Sequence, residues 1–247
     1  MLEYESMGIK SIDVSIIIPA YNEENCIAVC VNSLKPLLRS GDEIIVVDNN
    51  SDDKTAQIAK KLGVKVVLEK KRGISNARNK GAEVATNEVL CFIDADSTVS
   101  RSWLASVRKA FKKDPEIYAV TGLNIYSHSN LFKMIWYNLY TFCIYLSLLG
   151  VRLTKKEWFL AGNNMAIKRD VFKALNGFDP YIAEDYWFSQ KFWAKYSHHI
   201  AFSPTMTVYC SSRGFDASGF RKTLLLWLKS TQNKLSQANY SYRNKDL

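Results

Sequence analysis

Short hydrophobic runs alternate with longer amphipathic segments along the first half of the chain. The runs carry apolar side chains at both odd and even positions, which is typical of strands covered on both faces of a parallel sheet. The segments between them have helical spacing of apolar residues. This order predicts a β-α-β-α-β-α-β arrangement with right-handed crossovers. The predicted strands are Val14–Ile18, Glu43–Val47, Val64–Leu68, Val89–Ile93 and Ile117–Thr121.

Two local predictions concern the end of the first strand and the start of the first helix. Pro19 is expected to end the first strand, because proline has no backbone N–H for the sheet. Asn22 is expected to cap the following helix, with Glu23 and Glu24 in its first turn.

The second half of the chain is less regular, and no linker or repeat separates it from the first. We expect a strand, a Gly-rich corner and a second strand over Trp158–Ile167, and a helix that opens with Glu184 and Asp185. Ile200–Phe202 and Thr205–Cys210 are predicted strands. Phe220–Leu235 is predicted to be a basic amphipathic helix with an apolar stripe of Phe220, Leu224, Trp227 and Leu228.

An uncharged, aromatic-rich run of residues covers Met134–Val151. Its length makes it a marginal candidate for a membrane span. Two other placements are open: a helix packed on the domain, or a helix at the bilayer interface, where Trp and Tyr are favoured.

The charge balance points to an anionic partner. The chain has 247 residues and a net charge of +9, which suits a nucleic acid, a phosphorylated substrate or an anionic membrane. No nucleic-acid-binding module is recognisable, so we do not expect nucleic acid as a partner. The five cysteines lack paired spacing, and Met1–Ser11 lacks an apolar segment. We therefore expect no disulfide framework, no signal peptide and a cytoplasmic location.

Carboxylates follow two predicted strands and begin one predicted helix. Asp48 ends the second strand, Asp94 and Asp96 follow the fourth, and Glu184 and Asp185 open the helix. Ligands of open α/β sheets bind beyond the carboxyl ends of the strands. An Asp pair there offers the hard oxygen ligands that Mg²⁺ and Mn²⁺ prefer. The alternative for each carboxylate is a helix cap.

Four groups of residues, in this order, resemble the family 2 glycosyltransferases of the GT-A fold. The resemblance covers roughly residues 15–227, and no single motif would be specific alone. The motifs are Pro19-Ala20-Tyr21-Asn22-Glu23-Glu24, then Val46-Val47-Asp48-Asn49-Asn50-Ser51, then Phe92-Ile93-Asp94-Ala95-Asp96, and finally Gly162-Asn163-Asn164 with Gly177-Phe178-Asp179 and Glu184-Asp185.

The resemblance implies an α/β GT-A fold, with a Rossmann-like, mainly parallel sheet flanked by helices. It implies one domain over residues 1–247: a nucleotide-sugar-binding half (12–123), an acceptor-binding half with membrane-proximal helices (124–236) and a tail (237–247). It further implies an inverting, hexosyltransferase-type enzyme. Such an enzyme moves a sugar from a UDP- or GDP-sugar to a hydroxyl or phosphate acceptor, such as a glycan or a lipid-linked molecule.

The resemblance also assigns roles to individual residues. Asp96, with Asp94, would hold Mn²⁺ or Mg²⁺ on the donor diphosphate, and Asp185 would be the general base, with Glu184 as the competing choice. The donor site would include Pro19, Ala20, Tyr21, Glu23, Asp48, Arg72, Arg78, Asp94, Ala95 and Asp96. The acceptor site would include Gly162, Asn163, Asn164 and Glu184.

Three departures and two rival functions accompany the resemblance. Asn49-Asn50 replaces an Asp-Gly common in the nucleotide turn, no Gln-x-x-Arg-Trp motif occurs, and no His stands near Tyr209-Cys210 as a metal ligand.

One rival is a non-catalytic module that binds nucleotide sugars or membranes. The other, weaker rival is a haloacid dehalogenase-type phosphatase, because Asp94-Ala95-Asp96-Ser97-Thr98 fits its Asp-x-Asp-x-Thr motif. The aromatic run lies between Asp96 and Asp185 in sequence, so it cannot cross a membrane if both residues serve one site. The expected location is then the cytoplasm, either free or at the inner face of the membrane. The oligomeric state has no sequence signal.

Overall fold

The computed structural model describes residues 12–127, 130–139 and 158–213, together with 216, 222, 225–226, 229–230 and 232–235. The strands are β1 (Val14–Ala20), β2 (Glu43–Asp48), β3 (Lys65–Leu68), β4 (Val89–Phe92), β5 (Thr98–Val99), β6 (Ala119–Ser127), β7 (Met165–Lys168) and β8 (Ile200–Ser211). The helices are α1 (Ile27–Leu34), α2 (Thr55–Lys61), α3 (Ile74–Val84), α4 (Trp103–Lys113), α5 (131–139), α6 (Arg169–Ala174) and α7 (Glu184–Tyr196), with a 3₁₀ turn at Lys35–Leu37.

In this part of the chain the strands form one sheet in the order β3-β2-β1-β4-β7-β6-β8-β5. The first four strands run parallel to one another, whereas β7 is antiparallel to both β4 and β6. The predicted α/β fold with a mainly parallel sheet is therefore observed. Strand β7 connects the two halves of the sheet, because it pairs with β4 on one side and with β6 on the other.

Alternate residues of the central strands serve two separate cores. Ile16 and Ile18 of β1 pack with residues of α1 and α4 on one face of the sheet. Ile17 packs with residues of α3, α6 and α7 on the other face. Burial of both faces explains why these strands show no alternation between apolar and polar residues.

The predictions for the end of the first strand and the start of the first helix are both wrong. Strand β1 continues through Pro19 to Ala20, and the Ala20 carbonyl still accepts the Asn49 N–H at 2.8 Å, so pairing passes the proline through carbonyl groups. Asn22 does not cap α1, which begins at Ile27 with no side-chain cap. Instead Asn22 has a left-handed backbone (φ 51°), and its side-chain oxygen accepts the Asp52 N–H at 2.8 Å.

The irregular second half also differs from its prediction. The two strands predicted over 200–210 are one strand, β8, with a register shift opposite Gly122/Leu123. Of the segment Trp158–Ile167, only the part from Met165 onward forms a strand. Strand β5 has two residues, which is too short to leave a hydrophobic pattern.

Parts of the aromatic run and of the predicted C-terminal helix, together with the tail, lie outside the described residues. These parts are 140–151 of the aromatic run, the apolar stripe of the C-terminal helix (Phe220, Leu224, Trp227 and Leu228) and the tail 237–247. Within the described part, α5 is helical, as are residues 222, 225–226, 229–230 and 232. No described helix is long and apolar enough to cross a membrane.

Candidate active site

The topology brings the candidate residues to one edge of the sheet. Asp48 and Asp94 lie at the carboxyl ends of the parallel strands β2 and β4. Strand β7 is antiparallel to β4, with Met165 opposite Phe92, so the Gly162 corner before β7 meets the same edge. Strand β8 runs parallel to β6, and its carboxyl end therefore delivers Arg213 to this edge as well.

The turn after β2 is held by its own polar side chains. The Asp48 carboxylate accepts the Ser51 N–H at 3.1 Å, and Asp48 is only 8% exposed. The Asn49 amide donates to the carbonyls of Glu69 and Lys71 and accepts the Gly73 N–H. Asn49, one of the departures from the family pattern, thus fixes the loop that carries Arg72.

The loop after β1 packs against the same turn. Its backbone N–H groups at Asn22 and Glu23 donate to the hydroxyls of Ser51 and Thr55. The Tyr21 ring lies under the Arg72 guanidinium, 3.9 Å from ring centroid to Cζ. Arg72 also contacts Asp52 at 3.2 Å and remains exposed. Pro19 and Ala20 are buried at the end of β1, directly before this loop.

Arg78 is the buried centre of the site. Its guanidinium contacts Asp94 at 2.8 Å and Glu184 through a second, shorter hydrogen bond. The Arg78 side chain is only 2% exposed. The sequence expectation put Arg78 on the donor phosphate oxygens, but both of these contacts are with carboxylates of the protein. It therefore joins the Asp-x-Asp segment to the start of α7.

Gly162 makes room for this cation. A Cβ at Gly162 would lie 2.6 Å from Arg78 Nη1 and 2.8 Å from Cζ. The Gly162 N–H also donates to the Asp185 carboxylate at 3.3 Å. The glycine corner thus allows the close approach of Arg78 and orients Asp185.

Glu184 and Asp185 have different surroundings although they are neighbours on α7. Glu184 is 6% exposed and paired with Arg78, whereas Asp185 is partly exposed and accepts the N–H groups of Gly162 and Tyr186. Burial raises the pKa of both carboxyls above the usual range, and Arg78 opposes this rise. Burial likewise raises the pKa of Asp94, again opposed by Arg78. Of the two α7 carboxylates, Asp185 is more accessible than Glu184.

The start of α7 has an unusual backbone. Ala183, the residue before Glu184, adopts a left-handed conformation (φ 56°), which L-residues with a Cβ disfavour. The other described non-glycine residues with positive φ are all asparagines, Asn22, Asn50 and Asn176. Backbone strain of this kind is concentrated at functional sites, and here it directly precedes the two carboxylates of α7.

The corner residues Asn163 and Asn164 differ in accessibility. Asn164 is fully buried, accepts the Trp103 indole N–H and donates to the carbonyls of Leu123 and Met206. Its amide is thus used inside the fold, where the sequence expectation had it contact the acceptor. Asn163 is partly exposed and contacts Asn124 and Cys210.

One site residue was missed by sequence reasoning. Arg213 Nη2 contacts both the Glu23 carboxylate at 2.6 Å and the Asp96 carboxylate at 3.0 Å. Its position directly after the predicted strand 205–210 was the available signal, because that strand ends at the same edge as Asp96. The adjacent Ala95 is buried, at 3% exposure.

Asp94 and Asp96, the residues expected to hold a metal, place two carboxyl groups after β4. In the part of the chain that the structure describes, no three His, Cys, Asp or Glu side chains are grouped to hold a metal ion. Two carboxylates supply only part of the oxygen shell of Mg²⁺ or Mn²⁺, which commonly combine one or two carboxylates with substrate phosphates and water. The donor set therefore fits a divalent ion that arrives with a diphosphate.

Known proteins resemble this chain in sequence and in fold. The model of Glycosyl transferase family 2 matches residues 15–175. The probable glycosyltransferase YdaM of Bacillus subtilis is 29% identical over 208 residues, which are 77% of this chain and 49% of YdaM. Glycosyltransferase AglE of Haloferax volcanii is 35% identical over 99 residues, 37% of this chain and 33% of AglE. The chain thus spans about half of the first relative's length and a third of the second's.

Two solved structures share the architecture. A Pyrobaculum calidifontis mannosyltransferase, PcManGT, in complex with GDP-Man and Mn²⁺, superposes with a TM-score of 0.63 at 22% identity, over 90% of this chain and 65% of its own. Glucosyl-3-phosphoglycerate synthase of Mycobacterium tuberculosis, in complex with Mn²⁺, UDP and glucosyl-3-phosphoglycerate, gives 0.64 at 20% identity, over 90% and 80%. The predicted GT-A fold is confirmed. The matched residues include the strand and the Asp-x-Asp segment that had suggested a phosphatase. Because the family model matches more than half of the chain, this chain belongs to glycosyltransferase family 2.

Proposed function

We propose that this chain transfers a sugar from a UDP- or GDP-sugar to a hydroxyl or phosphate acceptor, with inversion at the anomeric carbon. The observation that carries the proposal is the Arg78 bridge between Asp94 and Glu184. This bridge brings the donor-side Asp-x-Asp segment within reach of Asp185. A sugar between them would have its leaving group on one side and a base on the other, the arrangement required for a single displacement.

The donor diphosphate lies beside Asp94 and Asp96 in this proposal. Mn²⁺ or Mg²⁺ held by these carboxylates would act as a Lewis acid for the charge that develops on the leaving diphosphate. Asp48 would accept a hydrogen bond from the base or ribose, and Tyr21 with Arg72 would border the nucleotide. The complexes of the two structural neighbours, one with GDP-Man and Mn²⁺ and one with UDP and Mn²⁺, support this donor class.

Asp185 is the general base in this proposal. It would take the proton of the acceptor hydroxyl while the hydroxyl attacks the anomeric carbon. Glu184 is a poorer base, because its carboxylate is buried and neutralised by Arg78. Glu184 and Arg78 are thus positioning residues, and acceptor contacts come from Gly162 and Asn163.

Two Asp→Asn variants test whether Asp185 is a general base or only caps its helix. Asp170 starts α6 as Asp185 starts α7, and each carboxylate accepts the N–H of the next residue, at 2.8 Å and 2.9 Å. Asp185→Asn should keep binding of UDP or GDP with Mn²⁺ in a thermal-shift assay and lower kcat by at least about a hundredfold, the lower end for general base catalysis. Asp170→Asn, at an exposed position, should keep kcat. Near-normal turnover of Asp185→Asn would remove Asp185 from its role.

The acceptor class in this proposal is a glycan or a lipid-linked molecule at an anionic membrane. Helix α5 supports it, because it exposes a continuous apolar face while Tyr137 and Asn138 face the domain. The exposed fractions are 65% for Leu131, 77% for Phe132, 56% for Ile135, 51% for Trp136 and 51% for Leu139. An exposed apolar helix face with Trp, on a chain of net charge +9, suits the interface of an anionic bilayer.

Vesicle co-sedimentation tests this membrane contact. The native chain should sediment with vesicles that contain anionic lipid at low salt and should be released as the salt concentration rises. Phe132→Ser combined with Ile135→Ser should lower the bound fraction at least threefold. Val29→Ser removes another exposed apolar side chain, 60% exposed on α1, and should leave binding unchanged. Equal binding of all three proteins would contradict a role for α5.

A further inference from the structure

Arg213 joins two loops of the donor side through one nitrogen atom. Its Nη2 lies 2.6 Å from Glu23 in the β1–α1 loop and 3.0 Å from Asp96 after β4. These partners are 190 and 117 residues away in sequence. Without a donor, the guanidinium therefore neutralises the carboxylate that the proposed function gives to the metal.

A divalent ion and Arg213 compete for Asp96. A guanidinium 3.0 Å from that carboxylate would repel an arriving cation, since like charges at such distances repel strongly near a protein surface. A nucleoside diphosphate removes the conflict, because its oxygens are strong acceptors for a guanidinium and ligands for the metal at the same time.

The side chain of Arg213 is placed to change partners. It is 42% exposed, whereas Glu23 and Asp96 are 6% and 16% exposed. Among the described residues, it also makes two long hydrogen bonds, from its backbone N–H and Nε to the Ser211 hydroxyl, each 3.3 Å. The carboxylates are thus the fixed partners and the guanidinium is the part that meets solvent.

We propose that Arg213 couples metal binding to nucleotide binding. In the ligand-free protein it occupies Asp96 and Glu23 and weakens binding of a metal ion alone. When a nucleoside diphosphate binds, Arg213 moves from Asp96 to the diphosphate, and the metal takes its place on Asp96. This inference rests on the proposed function, because it takes the donor to be a nucleotide sugar.

Mn²⁺ binding in the absence of catalysis tests the coupling. The electron paramagnetic resonance signal of free Mn²⁺ would be followed during titration of the protein alone and with saturating UDP or GDP, corrected with protein-free nucleotide mixtures. For the native chain, nucleotide should tighten Mn²⁺ binding at least tenfold, and Mn²⁺ should tighten nucleotide binding by the same factor.

Three variants test whether the coupling depends on the guanidinium group of Arg213. Arg213→Gln should bind Mn²⁺ alone at least fivefold more tightly than the native chain, bind nucleotide more weakly and lose most of the coupling. Arg213→Lys keeps the charge without the guanidinium and should keep part of it. Arg39→Gln removes a positive charge from an exposed position before β2, at the opposite edge of the sheet, and should behave like the native chain. Circular dichroism would verify that each variant is folded.

The outcomes distinguish this inference from the function on which it rests. If the native chain binds neither UDP nor GDP with Mn²⁺, the proposed function fails. If it binds them and a folded Arg213→Gln keeps the native Mn²⁺ affinity and coupling, only the role of Arg213 fails. If Arg213→Gln does not fold, equal coupling in Arg213→Lys and the native chain would overturn the role.

Discussion

Two arginines near the start of α3 lie in opposite settings. Arg72, just before the helix, lies on the surface against Tyr21 and Asp52. Arg78, within the helix, is buried between Asp94 and Glu184. The same side chain is thus a local surface contact in one place and the link between the two halves of the site in the other. Buried, long-range contacts of Arg78 therefore link the parts of the site, whereas Arg72 makes only exposed ones.

The largest expected effect comes from removing the buried cation. Arg78→Met leaves the Asp94 and Glu184 carboxylates without their partner, which typically costs about 3–5 kcal/mol of the free energy of unfolding. Arg72→Met breaks only an exposed pair and should cost about 0–1 kcal/mol. Urea denaturation of both variants measures the difference. Equal costs for the two arginines would contradict the central role of Arg78.

A smaller effect is expected from crowding the same cation. Gly162→Ala places a methyl group 2.6 Å from Arg78 Nη1, and overpacking of this kind costs about 1–3 kcal/mol. In the Arg78→Met background the flexible thioether can yield, so the same substitution should cost less. A double-mutant cycle by denaturant titration measures this coupling. Additive costs would show that the close approach has no energetic effect.

The pH dependence of activity should report the raised pKa of Asp185. Because burial raises the pKa of Asp185, a base that must be deprotonated should lose kcat/KM as pH falls through a value above the ordinary carboxyl pKa of about 4. Below that value the loss should approach about tenfold per pH unit. The raised pKa also means that the folded state holds the proton more tightly than the unfolded chain. The contribution of Asp185 to stability therefore becomes less favourable as pH rises from the unfolded to the folded pKa. An acid limb of kcat/KM at or below about pH 4 would contradict the assignment.

The smallest effect, with a change of sign, is expected for two alanines. Ala183 has a left-handed backbone, so Ala183→Gly relieves strain and should stabilise the fold by up to about 1 kcal/mol after the entropy cost of glycine. Ala82 lies within α3, where Ala82→Gly should destabilise by about 1 kcal/mol. Thermal melts of both variants give the two signs. Destabilisation by both would mean that Ala183 is not strained.

The positions of Asp48 and Asp94 at one edge of the sheet could be predicted because each stands at the end of a strand in sequence. Asp48 and Asp94 needed only the strand pattern and the rule that parallel strands end at a common edge. Arg213 reaches Asp96 across 117 residues, and the Arg78 contact with Glu184 spans 106, so no local pattern encodes either. Pro19 misled because proline removes a donor but not the neighbouring carbonyl acceptors.

The Arg78 bridge has a consequence for how the chain unfolds. A fragment that ended at residue 123 would keep the cation and lose Glu184, and it would also lose β7, the partner of β4. This fragment would thus carry a half-compensated buried charge and a newly opened sheet edge. Although the motifs divide the chain into two halves, the described fold should behave as a single cooperative unit, with one transition when far-ultraviolet and tryptophan signals are compared.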